Sequence, residues 1–471
     1  MLVFGLGLQV FRDYMRPASV TEVTYNPKPK TYNQEGKMTN QYTELYEEVK
    51  GLLAKQSCQA LNNVRDEAME TFKSLGLPTR KVERYRYTDV EKAFEPNYGL
   101  SLAPLTIKGI PYVYAMKDAP IDVTPYYNKV ADAAVKADGT PVSIQQLKGE
   151  YKPDALTALN TALAHDALLV HIPKGTKVKT PIRIENILSG EQDTMIVRRV
   201  LIVMEECSDA TIFFVDHAKN DSNFLTLQVI EVVAKDGAHL DMYELEETHE
   251  KCNRFSNLYI KTGKDVTVRH NNLTLSNGVT RNGIEVYLQG TESEVYLNGA
   301  VIADHAQHVD NNTIIDHQVP RCTSKELYKY VIDDNAVGAF AGKIMVREDA
   351  QQTSSQETNN NMCASSDARM FTQPMLEIYA DDVKCAHGST VGVMDEAALF
   401  YMQQRGIPLE TARTLLKTAF ISQVVDEMKW ESFRDRLHIL VDKRLSKEER
   451  CGSCRICSPL PASPKGEEAG E

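Results

Sequence analysis

The middle of this chain is dominated by runs of β-branched and aromatic residues: ALLVHI (167–172), IRIENIL (182–188), VRRVLIVM (197–204), TIFFVDH (211–217), LTLQVIEVVA (225–234), EVYLQG (285–290) and EVYLNGAVIA (294–303). Short runs of this kind, bounded by small polar residues, read as strands. The punctuation between them recurs. Ser208-Asp209-Ala210, Asp236-Gly237-Ala238, Lys264-Asp265-Val266 and Glu292-Ser293-Glu294 step by about 28 residues, and the next steps land near Cys322 and in Glu348-Asp349-Ala350. A constant step of that size fits one coil of a parallel β-helix with two or three short strands per turn, each coil stacking on the last. A β-sandwich would give shorter and less regular spacing. The run QQTSSQETNNN (351–361) reads either as stacked amide side chains forming hydrogen-bonded ladders or as a polar loop.

Outside this core, at 166–394, the hydrophobic period changes. Leu45, Val49, Leu52 and Leu53, then Leu61, Val64, Met69 and Phe72, recur at helical spacing and predict two amphipathic helices. The segment LGLPTRKVERYRYTDVEKAF (75–94) is basic and aromatic; it reads as a solvated connection, or as a nucleic-acid patch. The rest of the region 41–165 mixes short strands with a helical run at 141–163. After the core, Asp395 is placed to cap a helix over EAALFYMQQR, and Gly406 and Pro408 end that helix and start the next. In the second helix Ala412, Leu415, Leu416, Ala419, Phe420, Val424, Val425 and Met428 form one apolar stripe, which reads as core, as a docking surface, or as both on different faces. A third runs from Phe433 to Leu445, so the C-terminal helical region covers 395–447, with a tail at 448–471. Residues 1–40, with Pro27 and Pro29 and no period, read as a disordered lead-in, and Met38 is an alternative start.

Composition excludes several classes of function. The 42% hydrophobic and 25% charged residues are those of an ordinary globular chain, and 471 residues bury a large core. A net charge of −12 with no long basic stripe argues against nucleic acid. The N-terminal run MLVFGLGLQVF is too short to span a bilayer and lacks a basic n-region, so no membrane role and a cytoplasmic location are expected. Nine scattered Cys read as reduced thiols. Phosphate loops, HExxH, G-x-S-x-G and dinucleotide-binding glycine patterns are absent, so the chain reads as a non-enzyme and any nucleotide hydrolysis as a partner's.

Three groups of residues carry candidate chemistry. Cys385 and His387, two apart on a strand-like run, share one face. They supply two of the ligands a metal site needs, or they are a buried thiol beside a hydrogen-bonded imidazole. His305, His308, Asp310 and His317 are close in sequence but would face different sides of a strand and turn. In the tail, Cys451, Cys454 and Cys457 form a C-x2-C-x2-C cluster that is one ligand short of a closed iron or zinc site.

The stretch DDVKCAHGSTVG (381–392), with the following YMQQRGI (401–407), closely resembles the SufD branch of the SufB/SufD family of iron–sulfur cluster assembly proteins. HVDNNTIIDH (308–317), VGAFAGKIMV (337–346), the Gln/Asn-rich run and the segment 75–94 extend that resemblance over roughly 42–444. SufB differs at the KC-x-HG run. The resemblance implies a right-handed parallel β-helix between helical ends. It places His387 at the interface with SufB, where clusters form and where it would ligate iron transiently, with Cys385 as an auxiliary thiol. The SufC ATPase, which binds the ATP, would dock on the C-terminal helices at Leu415, Leu416, Ala419 and Phe420. Flavin is a further candidate cofactor of the complex, and a homodimer a candidate state of the isolated chain. The other reading of a β-helix is a polysaccharide lyase or hydrolase, which needs paired acids in a cleft and usually an export signal.

Overall fold

The structure, a computed structural model, describes residues 24–25, 38–103, 105, 107, 110–126 and 154–446. The Cys451, Cys454 and Cys457 cluster, most of the lead-in and the first part of the 141–163 helical run lie outside the described residues.

From Leu168 onward the backbone climbs in coils, each giving one strand to each of two facing sheets. One sheet stacks β4 (Leu168–Ile172), β6 (Thr194–Met204), β8 (Phe224–Ala234), β10 (Cys252–Thr262), β12 (Val279–Leu288), β14 (His308–His317), β16 (Val337–Val346) and β18 (Arg369–Ile378), all parallel. The other stacks β5 (Ile182–Leu188), β7 (Asp209–Ala218), β9 (His239–Glu247), β11 (Thr267–Ser276), β13 (Glu294–Ala303), β15 (Thr323–Ile332), β17 (Thr353–Cys363) and β19 (Val383–Val393), likewise parallel. The result is a parallel β-solenoid of about 8 turns. It uses two long strands per coil where the sequence left two or three short ones open.

The repeat is set by the corners. Cys207, Gly237, Asp265, Glu292, Arg321 and Gln352 each take a left-handed φ, between 56° and 69°, where the chain leaves the first sheet for the second. They fall at intervals of 30, 28, 27, 29 and 31 residues, which is the spacing legible in the sequence. A left-handed residue reverses the chain within a few positions, so consecutive coils stay in register. Close stacking at one corner demands glycine: a Cβ on Gly290 would lie 2.0 Å from the carbonyl carbon of Gly263 in the coil below.

Both sheets are covered on their outer faces by helices. On the N-terminal side stand α1 (Met38–Gln56), α2 (Gln59–Asn62), α3 (Arg65–Leu75), α4 (Val90–Phe94) and α5 (Ala155–Leu163). Phe72, Phe94 and Leu159 there pack on Met195, Leu225, Leu227 and Phe255 of the first sheet. Burying such side chains contributes about 1.5–3 kcal/mol each. At the other end follow α6 (Glu396–Gln404), capped by Asp395 as its sequence predicts, α7 (Leu409–Val425) and α8 (Glu431–Leu445). Their Ile421, Val424, Leu437 and Val441 pack on Tyr243, Leu273 and Ile302 of the second sheet. Phe433 sits edge-on to Phe213 at 4.5 Å, and Arg444 grips Asp304 with two bonds of 2.6 and 2.7 Å.

The segment 75–94 is no solvated connection. Tyr85 and Thr88 are buried, because Arg281 of β12 stacks its guanidinium 3.9 Å above the Tyr85 ring and donates to the Arg84 carbonyl. Tyr87 stacks on Phe371 of β18 at 4.9 Å, and Thr88 donates to Asp310 at 2.6 Å. Its aromatic residues Tyr85 and Tyr87 and the guanidinium of Arg84, which pairs with Glu285, are taken up by the solenoid, while Arg80, Lys81, Arg86 and Lys92 stay exposed. Short strands β1 (Thr24–Tyr25), β2 (Gly99–Ser101) and β3 (Val113–Ala115) extend the first sheet at its N-terminal end, where β3 pairs antiparallel with β4.

Gly290→Ala should lower stability by about 2–3 kcal/mol, because the methyl has only backbone to displace. Gly388→Ala, with nothing within 4 Å, should leave it unchanged. Urea denaturation of the two variants checks both.

Candidate functional site at the open end of the solenoid

At the C-terminal end of the stack, β18 and β19 are the last strands of their sheets. Residues in register on successive strands of the second sheet form columns about 4.8 Å per step along the stack. One inward column reads Leu240, Val268, Val295, Ser324, Ser355, Cys385. The next reads Met242, His270, Leu297, Glu326, Glu357, His387, and the third Glu244, Asn272, Gly299, Tyr328, Asn359, Ser389. Over the last coils the first two columns therefore change from mainly apolar to polar, and they end on Cys385 and His387.

The sequence placed those two residues on one face, and the structure does too. Cys385 is half-buried against Leu376 and Val383, and burial pushes its thiol pKa up. His387 is exposed on the last rung. The neighbouring inward residue, Ser389, contacts Thr372 at 2.6 Å and donates to Asn359 at 3.1 Å. The run 351–361 is thus strand from Thr353 onward, with Asn359 and Asn361 bonded to each other inside it. A hydroxyl chain lies beneath Cys385: His317 Nε2 to Ser324 at 2.9 Å, then Ser324 to Ser355 at 2.6 Å. Burial holds the His317 imidazole neutral, with its pKa lowered to about 3.

Beneath His387 lie two carboxyl groups that sequence reading missed. Glu357 is 0% and Glu326 2% exposed, and they are register neighbours. Burial raises both well above the ordinary carboxylate value, and the like charge of Glu357 raises Glu326 further. Thr313 donates to Glu326 at 3.3 Å; Glu357 has no hydrogen-bond partner among the described residues. Strand alternation could have marked Glu357 as inward, since it lies two residues from Ser355 and Asn359, but only the stacking places it under His387.

Deeper in the lumen an ionic network fills the earlier coils. Arg198 and Arg254 hold Asp216, Arg254 also pairs with Glu244, and His270 bonds Glu244 at 2.9 Å. Burial alone would raise Glu244, but Arg254 and His270 hold it at about 2. Glu246, buried and beside Asp216, is pushed up to about 7 although Arg254 opposes this. The network continues from Arg254 through Asn282 and Asn311 to the Tyr330 hydroxyl.

The remaining candidates scatter only in part: His308 and Asp310 meet at the Thr88 hydroxyl, at 3.1 and 2.6 Å, whereas His317 faces the lumen and His305 is exposed in a turn beside Asp304 at 3.0 Å. Asp304, His305 and Asp334 do bring three ligand atoms within 4.8 Å, but Asp304 is already gripped by Arg444.

The sequence model for the SUF system FeS cluster assembly SufBD core domain matches residues 186–420, which ends within the helix after the solenoid. That of the SufBD protein N-terminal region matches 36–115 and 113–184. The chain belongs to the SufBD family. It is 27% identical to the iron–sulfur cluster assembly protein SufD of Escherichia coli over 389 residues, 79% of this chain and 90% of that one. Protein ABCI7, chloroplastic, of Arabidopsis thaliana is 26% identical over 402 residues, 80% of this chain and 84% of its own. SufD of Bacillus subtilis is 24% identical over 297 residues, 62% and 67% of the two chains.

In this SufBD chain the apolar stripe of α7 divides between two faces. Ala412, Ile421, Val424 and Val425 are buried, whereas Leu415 and Ala419 are exposed. Leu416 and Phe420 lie between, with Lys329 of β15 held 4.3 Å over the Phe420 ring. The paired acids needed by the polysaccharide-cleaving reading exist, but sealed inside the lumen rather than lining a cleft. Among the described residues no helix is long and apolar enough to cross a membrane.

Burial gives Glu357 a folded-state pKa above its ordinary 4.5, so the native protein holds that proton more tightly than the unfolded chain. This contribution is full below pH 4.5 and fades as pH rises toward the folded value. Glu357→Gln removes the titration, so in chelator-treated protein its stability relative to the parent should rise by about 1–3 kcal/mol between pH 5 and pH 8. Urea midpoints across that range test it; a pH-independent difference would contradict the assignment.

Proposed function

We propose that this chain is a non-catalytic scaffold subunit for iron–sulfur cluster assembly, pairing with a SufB-type subunit through its last coil. One observation carries the reading. Among the described residues β18 and β19 leave the terminal edges of both sheets free, and Ile378, Tyr379, Val391 and Val393 stand exposed around them, Val393 at 79%. At the opposite end, the first sheet is closed by β3. Free strand edges are templates for another chain, and a solenoid end without a polar cap is a place of assembly.

In this reading a partner's edge completes the seam that His387 and Cys385 half-form. A neutral imidazole there ligates iron or a nascent cluster transiently, or moves protons beside the partner's thiols. Cys385, kept as a thiol by burial, is auxiliary. The cluster is cargo, and ATP is bound by a SufC-type ATPase docked on the exposed Leu415 and Ala419 of α7. Leu416 and Phe420, which reach back to the solenoid, couple that helix to β15 through Lys329. Any flavin belongs to the assembled complex. A second copy of this chain can take the same edge when SufB is absent. The location in this reading is the cytoplasm.

His387→Ala should leave the complex assembled and lower cluster yield by roughly tenfold or more. Iron and sulfide assays on the co-purified complex decide this, and an unchanged yield refutes the role. Val393→Asp should instead prevent co-purification with the SufB-type partner while the isolated variant keeps its circular dichroism spectrum, because a charge would be buried at the seam.

A further inference from the structure

The enclosed carboxyl groups of Glu326 and Glu357 have no use in the scaffold role just described. They occupy consecutive rungs of one inward column, and among the described residues neither pairs with Lys or Arg. Both oxygens of Glu357, Oε1 of Glu326 and the hydroxyl of Tyr328 are buried without a hydrogen-bond partner. Tyr328 is itself fully buried, and its phenol pKa is raised by burial and by its neighbours, Glu326 and Glu357 among them. On the facing sheet Gly342 leaves room for the acid, since a Cβ there would lie 2.5 Å from Glu357 Oε2.

Orphaned buried oxygens cost about 1–3 kcal/mol each, so four of them on neighbouring positions of β15 and β17 call for a ligand. Protonating the acids removes their charge but still leaves acceptors unfilled. A cation bound between the two rungs supplies the partner that these oxygens lack. An oxygen-only donor set of two carboxylates and a phenol favours a hard divalent ion of the magnesium, manganese and ferrous class over copper(I) or zinc. The next rung of the column is His387 at the open end, so one exposed residue stands between the pair and solvent.

We propose that Glu326, Glu357 and Tyr328 form a site for one hard divalent cation inside the last coils of the solenoid. The cation is ferrous iron if the assembly role above holds; the site itself does not depend on that role.

The test uses the full chain alone, freed of metal with chelator and titrated with manganese(II), with free ion followed by electron paramagnetic resonance. One ion per chain is expected, with Glu357→Gln and Glu326→Gln each weakening binding by roughly tenfold or more. Asp334→Asn, in the exposed group with His305, serves as control and should bind as the parent does. Circular dichroism confirms that each variant is folded, and either Gln variant alone suffices. Absence of saturable binding overturns the proposal, as does a folded Gln variant that binds like the parent or a loss confined to Asp334→Asn. Because neither partner nor cluster is needed, a negative result leaves the scaffold reading standing, and failure of His387→Ala leaves this one.

Discussion

Everything in this molecule depends on the corner at which each coil leaves the first sheet for the second. A left-handed residue there, six times in succession, keeps the coil length within a few residues of constant. Constant length keeps strands in register, and register turns isolated side chains into columns. A left-handed φ costs a non-glycine residue roughly 1–2 kcal/mol. Five of the six corners, Cys207, Asp265, Glu292, Arg321 and Gln352, accept that strain because the parallel ladders on both sides fix their conformation.

Columns explain why the inward positions nearest the corners turn polar toward one end. In the early coils the inward positions near the corners are Leu240, Val268 and Val295, a continuous apolar core. From β15 onward the same positions are Ser324, Ser355 and Cys385, and beside them Glu326, Glu357 and His387. The apolar coils and the helical layers on both outer faces supply the stability, which lets the last coils hold groups that a core would exclude. The polar end is also the end without a further coil among the described residues, so the polar columns and the terminal sheet edges coincide.

The helical layers do more than cover the sheets. On the N-terminal side the basic strap around Arg84, Tyr85 and Tyr87 runs from the central coils to Phe371 of β18, bracing the last coil from outside. On the C-terminal side Arg444 ties α8 to Asp304. Both helical layers are thus fastened to the solenoid by arginines paired locally, Arg84 with Glu285 and Arg444 with Asp304.

The sequence by itself determined the coil repeat, the change to helical period after Asp395, and the shared face of Cys385 and His387, because each rests on local spacing. It misread the segment 75–94, since nothing in a local window shows that Arg281, about two hundred residues on, will stack on Tyr85. It left the α7 stripe open between core, docking surface and both, and packing on β13 and β15 divides it between core and solvent. Glu326 and Glu357 were invisible as a pair. They lie 31 residues apart, and only tertiary stacking decides which coil's residue sits above which. The physical reason is that periodicity reports which face a side chain takes, whereas contact between coils depends on register summed over every intervening corner.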